Sequence, residues 1–149
     1  MKKVAILVLM AIVVIIPGCK KYEDGPMLSF RSKMHRVVNS WRLDAYYLNG
    51  VEATSSLIIT GYTEDYTKAG SYSRSYTKEN GDLVSETGSW EFDDKKDNLL
   101  VNGVGSIELS NQNSTVTNTR CTILRLKEKE LWYEFENGGD KHEFHFVEK

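Results

Sequence analysis

The side chains best placed to do chemistry in this sequence lie in two stretches of alternating residues. Tyr62, Glu64 and Tyr66 fall at every second position, and so do Tyr72, Arg74 and Tyr76. Successive side chains of a strand point to opposite faces, so each triplet shares one face. A three-residue loop at Lys68-Ala69-Gly70, with Gly70 at the left-handed position, folds the two stretches into a hairpin. That register pairs Tyr66 with Tyr72, Glu64 with Arg74 and Tyr62 with Tyr76. The other face holds Thr63, Asp65, Thr67, Ser71, Ser73, Ser75 and Thr77. It is wholly polar and must meet water, which turns the tyrosines inward. Buried together, Glu64 and Arg74 can satisfy one another, with the tyrosines as packing. The alternative is a cavity with aromatic walls and Arg74 as cationic anchor, suited to an amphipathic ligand bearing a carboxylate or other anion.

Other reactive residue types form weaker patterns. His142 and His145 are three apart, which on a strand puts the rings on opposite faces and denies them a shared metal, leaving His142 as a rim or core residue. Asp93, Asp94 and Asp97 sit where a hairpin loop is needed, with Lys95 and Lys96 offsetting their field. They form a solvated turn without the ligand spacing of a calcium site. Cys121 lies in the strand-like run Thr119 to Leu124 with no histidine or cationic cluster beside it, and reads as a small buried hydrophobe. No Gly-x-Ser-x-Gly, phosphate loop or tuned acid pair is present. The chain is therefore read as a non-enzyme needing neither cofactor nor metal.

The N-terminus bears on location. Lys2 and Lys3 precede the apolar run Val4 to Ile16, which is shorter than the about 20 residues a bilayer span needs and has the layout of a cleavable signal. Ile16-Pro17-Gly18-Cys19 resembles the lipobox of bacterial lipoproteins, in which the cysteine thiol is alkylated with diacylglycerol and becomes the new N-terminus. The resulting organisation is a signal peptide over 1–18, a lipidated tether over 19–28 and one domain over 29–149. With Cys19 lipidated, Cys121 is the single thiol left and no intrachain disulfide can form. Net charge goes from −2 to −4 on loss of Lys2 and Lys3, and the basic residues form no patch of the kind nucleic acid needs. Lys20 to Pro26 is a polar tether of roughly 25 Å when extended. Its Lys20-Lys21 and Glu23-Asp24 pairs resemble export signals of surface lipoproteins, so an outer-membrane anchor facing either the periplasm or the cell surface is expected. In such a protein the sequon Asn113-Ser114-Thr115 is chance.

The elements that position the tyrosines follow from periodicity. Phe30, Met34, Val37, Val38 and Trp41 form one face of a short helix, with Ser29 or Ser32 as N-cap. Beyond Trp41 the period is two, with frequent turn residues, as in an antiparallel meander. A two-residue turn at Gly138-Gly139 sets Leu131, Tyr133 and Phe135 opposite Phe146, Phe144 and His142, and Glu134 opposite Glu143. Trp90 and Phe92 pair with Val101 and Leu99. If Asn80-Gly81 were a two-residue turn Trp90 would face outward, so a three-residue loop or a bulge between Thr77 and Trp90 is needed. A strand over Thr115 to Leu126 turns at Lys127-Glu128-Lys129 into the last hairpin, and 103–110 is either a strand or an irregular crossing. The total, about eight or nine strands, suffices for a small barrel.

Gly25-Pro26, Leu28 to Lys33, Arg36, Trp41-Arg42-Leu43, Gly50-Val51, Gly88 to Phe92, Ile123, Leu126 and Glu130-Leu131-Trp132 together resemble the lipocalin-like lipoproteins of Bacteroidetes. The Gly-x-Trp of the first lipocalin strand reads Asn39-Ser40-Trp41 here. The resemblance implies an all-β, up-and-down antiparallel barrel with a short N-terminal helix, anchored to the outer membrane through Cys19 and binding a small amphipathic or hydrophobic ligand. Tyr62, Glu64, Tyr66, Tyr72, Arg74 and Tyr76 are the residues expected to meet it. The alternative is a filled barrel acting as a structural or interaction module that contacts another envelope protein, with Trp132 as an exposed aromatic anchor.

Overall fold

A computed structural model describes residues 31–110 and 115–149 of the chain. The expected signal peptide over 1–18, Cys19, the expected tether over 19–28, Ser29, Phe30 and Asn113-Ser114 lie outside these described residues. Ser32 caps helix α1 (Lys33–Val37), its hydroxyl accepting from the His35 amide at 3.3 Å. The helix stops well short of Trp41, because Val38 turns extended and Ser40 opens a strand. Two β-branched residues end the helical run. Trp41, placed in the strand instead, buries its ring completely and donates Nε1–H to the Val37 carbonyl at 2.9 Å.

The strands are β1 (Ser40–Leu48), β2 (Val51–Glu52), β3 (Ile59–Tyr66), β4 (Ser71–Lys78), β5 (Leu83–Phe92), β6 (Asn98–Asn102), β7 (Ile107–Glu108), β8 (Thr115–Val116), β9 (Arg120–Leu126), β10 (Glu130–Asn137) and β11 (Asp140–Glu148). Eight of them run β1-β3-β4-β5-β6-β9-β10-β11, each antiparallel to the next. The last returns to the first, from Trp41 opposite Glu148 to Leu48 opposite His142. Closure removes both sheet edges. The short β2 adds to the end of β1, and β7 pairs with β8 in a separate ribbon. Eight strands leave an interior just wide enough for side chains to fill or for one small ligand.

The hairpin registers follow the alternation in the sequence. Tyr66 faces Tyr72 and Glu64 faces Arg74, although a bulge at Gly61-Tyr62 shifts the pairing beyond Thr63. Tyr62 still stacks on Tyr76, with ring centroids 5.9 Å apart. On the outer face Thr63 is buried after all, its hydroxyl 2.9 Å from that of Ser75. The last hairpin turns at Gly138-Gly139 with Leu131, Tyr133 and Phe135 against Phe146, Phe144 and His142. Between β4 and β5, Lys78 N–H donates to Asp82 O across a three-residue loop in which Gly81 has φ +87. This is the odd-length loop that Trp90 requires, and Trp90 is buried opposite Val101. At Gly88 a Cβ would overlap the Asn102 carbonyl oxygen, so this crossing of β5 and β6 needs glycine.

The expected strand over Thr115 to Leu126 is broken. Thr115 and Val116 leave the barrel to pair with β7, and the barrel strand restarts at Arg120. Burial of Ile107, Leu109 and Val116 drives the detour, and the Ile58 amide donates to Leu109 O at 3.1 Å. The ribbon thus lies over the barrel end where β3 begins, the mouth. Helix α1 covers the other end, where Arg36 Nη1 donates to Leu126 O at 2.9 Å and Lys33 Nζ to Lys96 O at 2.8 Å.

Candidate functional site

The inward face of β3 and β4 carries the six residues expected to form a site, and the barrel sorts them into two groups. Glu64 is fully buried and its carboxylate accepts four tyrosine hydroxyls. Oε1 takes those of Tyr62, Tyr72 and Tyr133, each at 2.8 Å, and Oε2 takes that of Tyr66 at 2.7 Å. A charged acceptor saturated by short bonds is how a buried carboxylate is tolerated. Burial first, and the nearby Glu64 charge second, push Tyr62, Tyr66, Tyr72 and Tyr133 well above the ordinary tyrosine value of 10.0. The same two causes raise the buried Cys121 thiol, which is therefore inert. Tyr133 arrives from β10, across the barrel. Its inward direction is readable in the last hairpin, but its meeting with Glu64 exists only after closure.

Arg74 does not pair with Glu64, although the two are opposite in register. Its Nε donates to Glu86 Oε2 at 2.7 Å, Nη1 to Asn118 Oδ1 at 3.0 Å and Nη2 to Gly105 O at 2.7 Å. Four hydroxyls already fill the Glu64 acceptor sites, and the three-residue loop puts Glu86 opposite Arg74 on the inward face of β5. Burial works against the guanidinium charge, but Tyr62, Tyr72 and Glu86 outweigh it and hold Arg74 above its ordinary value. Glu86 Oε1 also accepts from Gly105 N at 3.1 Å. The ion pair therefore clips the chain running to β7 onto the barrel. Glu86, Gly105 and Asn118 went unnoticed in the sequence, and the odd-length loop is the signal that exposes Glu86.

A ligand void would leave accessible surface on its walls. Glu64, Arg74, Tyr72 and Tyr133 retain 0, 1, 1 and 0% of theirs, so the tyrosine wall closes on Glu64 and not on an open cavity. Nearby, His142 Nδ1 lies 2.8 Å from Tyr46 Oη and its ring stacks on Phe135, 5.2 Å between centroids. Burial lowers His142 from its ordinary value and pushes Tyr46 up to about 12. Tyr76 is placed differently. With Ile59 it forms the inner wall of a cavity of about 550 Å3 at the mouth, between the β3–β4 rim and the β7–β8 ribbon. Ile58 adds to the apolar floor, and Lys78, Glu79, Asn80, Ser106, Glu108 and Thr115 make the larger, polar part of the lining.

No protein-family model matches the sequence, and no curated protein matches it. Among solved structures the chain is similar to a lipocalin-like protein from Bacteroides uniformis, at 17% identity and a TM-score of 0.48, over 76% of this chain and 99% of that one. It is similar to Japanin from Rhipicephalus appendiculatus, solved bound to cholesterol, at 11% identity and a TM-score of 0.50, over 79% of each chain. An uncharacterized protein from Bacteroides eggerthii is similar over 75% of this chain and 98% of that one, at 14% identity and a TM-score of 0.47. The chain's own architecture is a closed eight-strand antiparallel meander with a helix at one end, and the likeness to Japanin bears on that fold alone. The fold is a lipocalin-like barrel.

Outside this lipocalin-like barrel the remaining candidates are structural. His142 faces inward and His145 outward, as their spacing requires. Asp93 accepts from Asp97 N at 2.9 Å and from Asn98 Nδ2 at 2.7 Å. These hydrogen bonds, the Asn98 side chain foremost, hold it down to about 2. Its loop is a hydrogen-bonded turn that Lys33 and Arg120 also contact. Trp132 points outward but is no free anchor. His145 lies parallel to it at 3.9 Å, and the Arg125 guanidinium stands 4.3 Å from its ring centroid.

Proposed function

We propose that this protein is a non-catalytic, lipid-anchored lipocalin-like barrel of the outer membrane, facing the periplasm or the cell surface, that binds a small amphipathic or hydrophobic molecule at its mouth. The observation that carries the reading is the 550 Å3 cavity walled by Ile58, Ile59 and Tyr76, with Lys78 and Ser106 at its polar side. A small apolar floor of Ile58, Ile59 and Tyr76 under a mostly polar rim suits a ligand with a short apolar body and a polar head. The ligand class is that first expected, but the site moves from the tyrosine cage to Tyr76 and the rim. Cholesterol in Japanin is support from a barrel of the same fold. The anchor rests on the lipobox-like run ending at Cys19.

Native mass spectrometry of the mature chain, followed by calorimetry with a fatty acid and with its neutral alcohol, tests the binding. Retained adducts and saturable heats are expected. Ser106→Trp, which fills the cavity from an exposed position, should weaken both ligands at least about tenfold, equivalent to about 1.4 kcal/mol. Unaltered binding in that variant moves the site elsewhere. Absence of binding by the parent favours the second reading, a filled barrel acting through its surface as a structural or interaction module, for which the sealed interior around Glu64 is the observation. Labelled palmitate incorporation and membrane fractionation test the anchor separately: Cys19→Ala should abolish the first and release the protein from the second.

A further inference from the structure

The helix end of the barrel gathers basic residues, several of them in ion pairs: Arg31 with Glu128, Lys33 with Asp97 and Lys129 with Glu148. From Arg31 to Val38 the chain carries Arg31, Lys33 and Arg36 and no acid. The β9–β10 turn beside it brings Lys127 and Lys129 around Glu128. A cavity of about 330 Å3 opens between them, lined by Arg31, His35, Arg36 and Lys129 together with Asn39 and the two acids Glu128 and Glu148. Both acids are engaged: Glu128 by Arg31 at 2.8 Å, and Glu148 by Asn39 at 3.2 Å and Lys129 at 3.8 Å. Arg36 is only 9% exposed. One of its nitrogens holds Leu126 O, while its Nε–H is buried without an acceptor, the one such side-chain donor recorded among the described residues. A buried guanidinium with an unmatched N–H, beside a cavity whose three cations outnumber its two carboxylates, suits an anion with several acceptor oxygens.

The position of this end selects the anion. The chain leaves it at Arg31, and the twelve residues from Cys19 to Phe30 reach at most about 40 Å at about 3.3–3.6 Å per residue. The mouth is a barrel length further on, about 25–30 Å for strands of this size, and there the acids Glu52, Glu79, Asp82, Glu108 and Asp140 outnumber the cations Lys78 and Lys141. At the helix end the Asp93–Asp97 loop offsets its acids with Lys95, Lys96 and the Arg120 contact at 3.3 Å. We propose that the helix end is a docking surface for anionic phospholipid, with a headgroup phosphate seated in the cavity against Arg36 and Lys129. The proposal rests on the anchored reading above. It adds an orientation: the barrel stands on its helix end, with the mouth turned away from the bilayer.

The test uses the mature chain carrying Cys19→Ala, so that lipidation plays no part in the outcome. Co-sedimentation is measured with vesicles of pure phosphatidylcholine and with vesicles that also contain phosphatidylglycerol, at low and high salt. Binding should require phosphatidylglycerol and fall as salt screens it. Arg36→Gln and Lys129→Glu should each weaken binding about fivefold or more, the effect of about one surface cation. Glu79→Gln at the mouth should leave it unchanged. Lys129 is exposed, so its variant remains informative if Arg36→Gln fails to fold. Equal partition onto the two vesicle types, or indifference to Lys129→Glu, would overturn the docking surface. So would saturable binding of inorganic phosphate, followed by NMR, without vesicle binding, since that marks a free-phosphate site. Loss of palmitate labelling in the parent would overturn the anchor and leave the vesicle result standing by itself.

Discussion

Replacing Glu64 with leucine removes the acceptor shared by four buried tyrosine hydroxyls at 2.7–2.8 Å. Each hydroxyl left without a partner in the interior costs about 1–3 kcal/mol, so the gross loss is about 4–12 kcal/mol. Removing a buried charge returns part of this, since desolvating a carboxylate costs several kcal/mol. A net loss of about 4 kcal/mol is expected, a large share of the about 5–15 kcal/mol a domain possesses. Urea unfolding followed by tryptophan fluorescence measures it. The sharper readout is a change of sign. In the parent, Tyr72→Phe deletes a hydrogen bond to a charged group and should destabilise by about 1.5–3 kcal/mol. In the Glu64→Leu background that hydroxyl is an orphan, so the same substitution should stabilise, by about 1–3 kcal/mol. A double-mutant cycle gives the coupling directly. If Tyr72→Phe has the same sign and size in both backgrounds, the hydroxyls do not depend on Glu64 and the cage argument is refuted.

Trp90→Ala should cost about 3–5 kcal/mol as a fully buried aromatic is lost, whereas Trp132→Ala should cost about 1 kcal/mol, the size of its stacking and cation–π contacts; equal losses in urea would contradict the inward and outward assignment. Alkaline stability should fall steeply. Tyr62, Tyr66, Tyr72 and Tyr133 are raised in the folded state, so their contribution is complete below the unfolded value near 10 and is lost as pH rises above it, at about 1.4 kcal/mol per pH unit for each tyrosine. Absorbance at the tyrosinate band should then rise together with unfolding, and ionisation of these four in a still-folded protein would refute the burial argument. Arg74→Met should loosen the mouth ribbon, because three hydrogen bonds clip Gly105, Asn118 and Glu86 together. Amide exchange over 103–110 should accelerate about 30-fold or more, for a loss of about 2 kcal/mol or more in local opening free energy, with the β10–β11 hairpin unaffected.

Local patterns settled much of the architecture. Period-two alternation and turn chemistry are short-range, so the register of the β3–β4 loop, the Gly138-Gly139 hairpin and the inward direction of the tyrosines were all readable in the chain. The need for an odd-length loop before Trp90 was readable too, because one residue of slip reverses every face. What escaped were contacts made across the barrel. Glu64 and Arg74 are opposite in register, and a two-strand view pairs them. Closure brings Tyr133 to Glu64 from β10, and the detour through β7 and β8 brings Gly105 and Asn118 to Arg74. The break at 117–119 was hidden for the same reason: 115–126 is rich in β-branched residues and has no Gly or Pro to mark a turn, and only Ile107, Leu109 and Val116 plugging the mouth make leaving the barrel favourable. Alternation tells a side chain which face to take, while the partner it finds there depends on which distant strand the closed sheet sets opposite it.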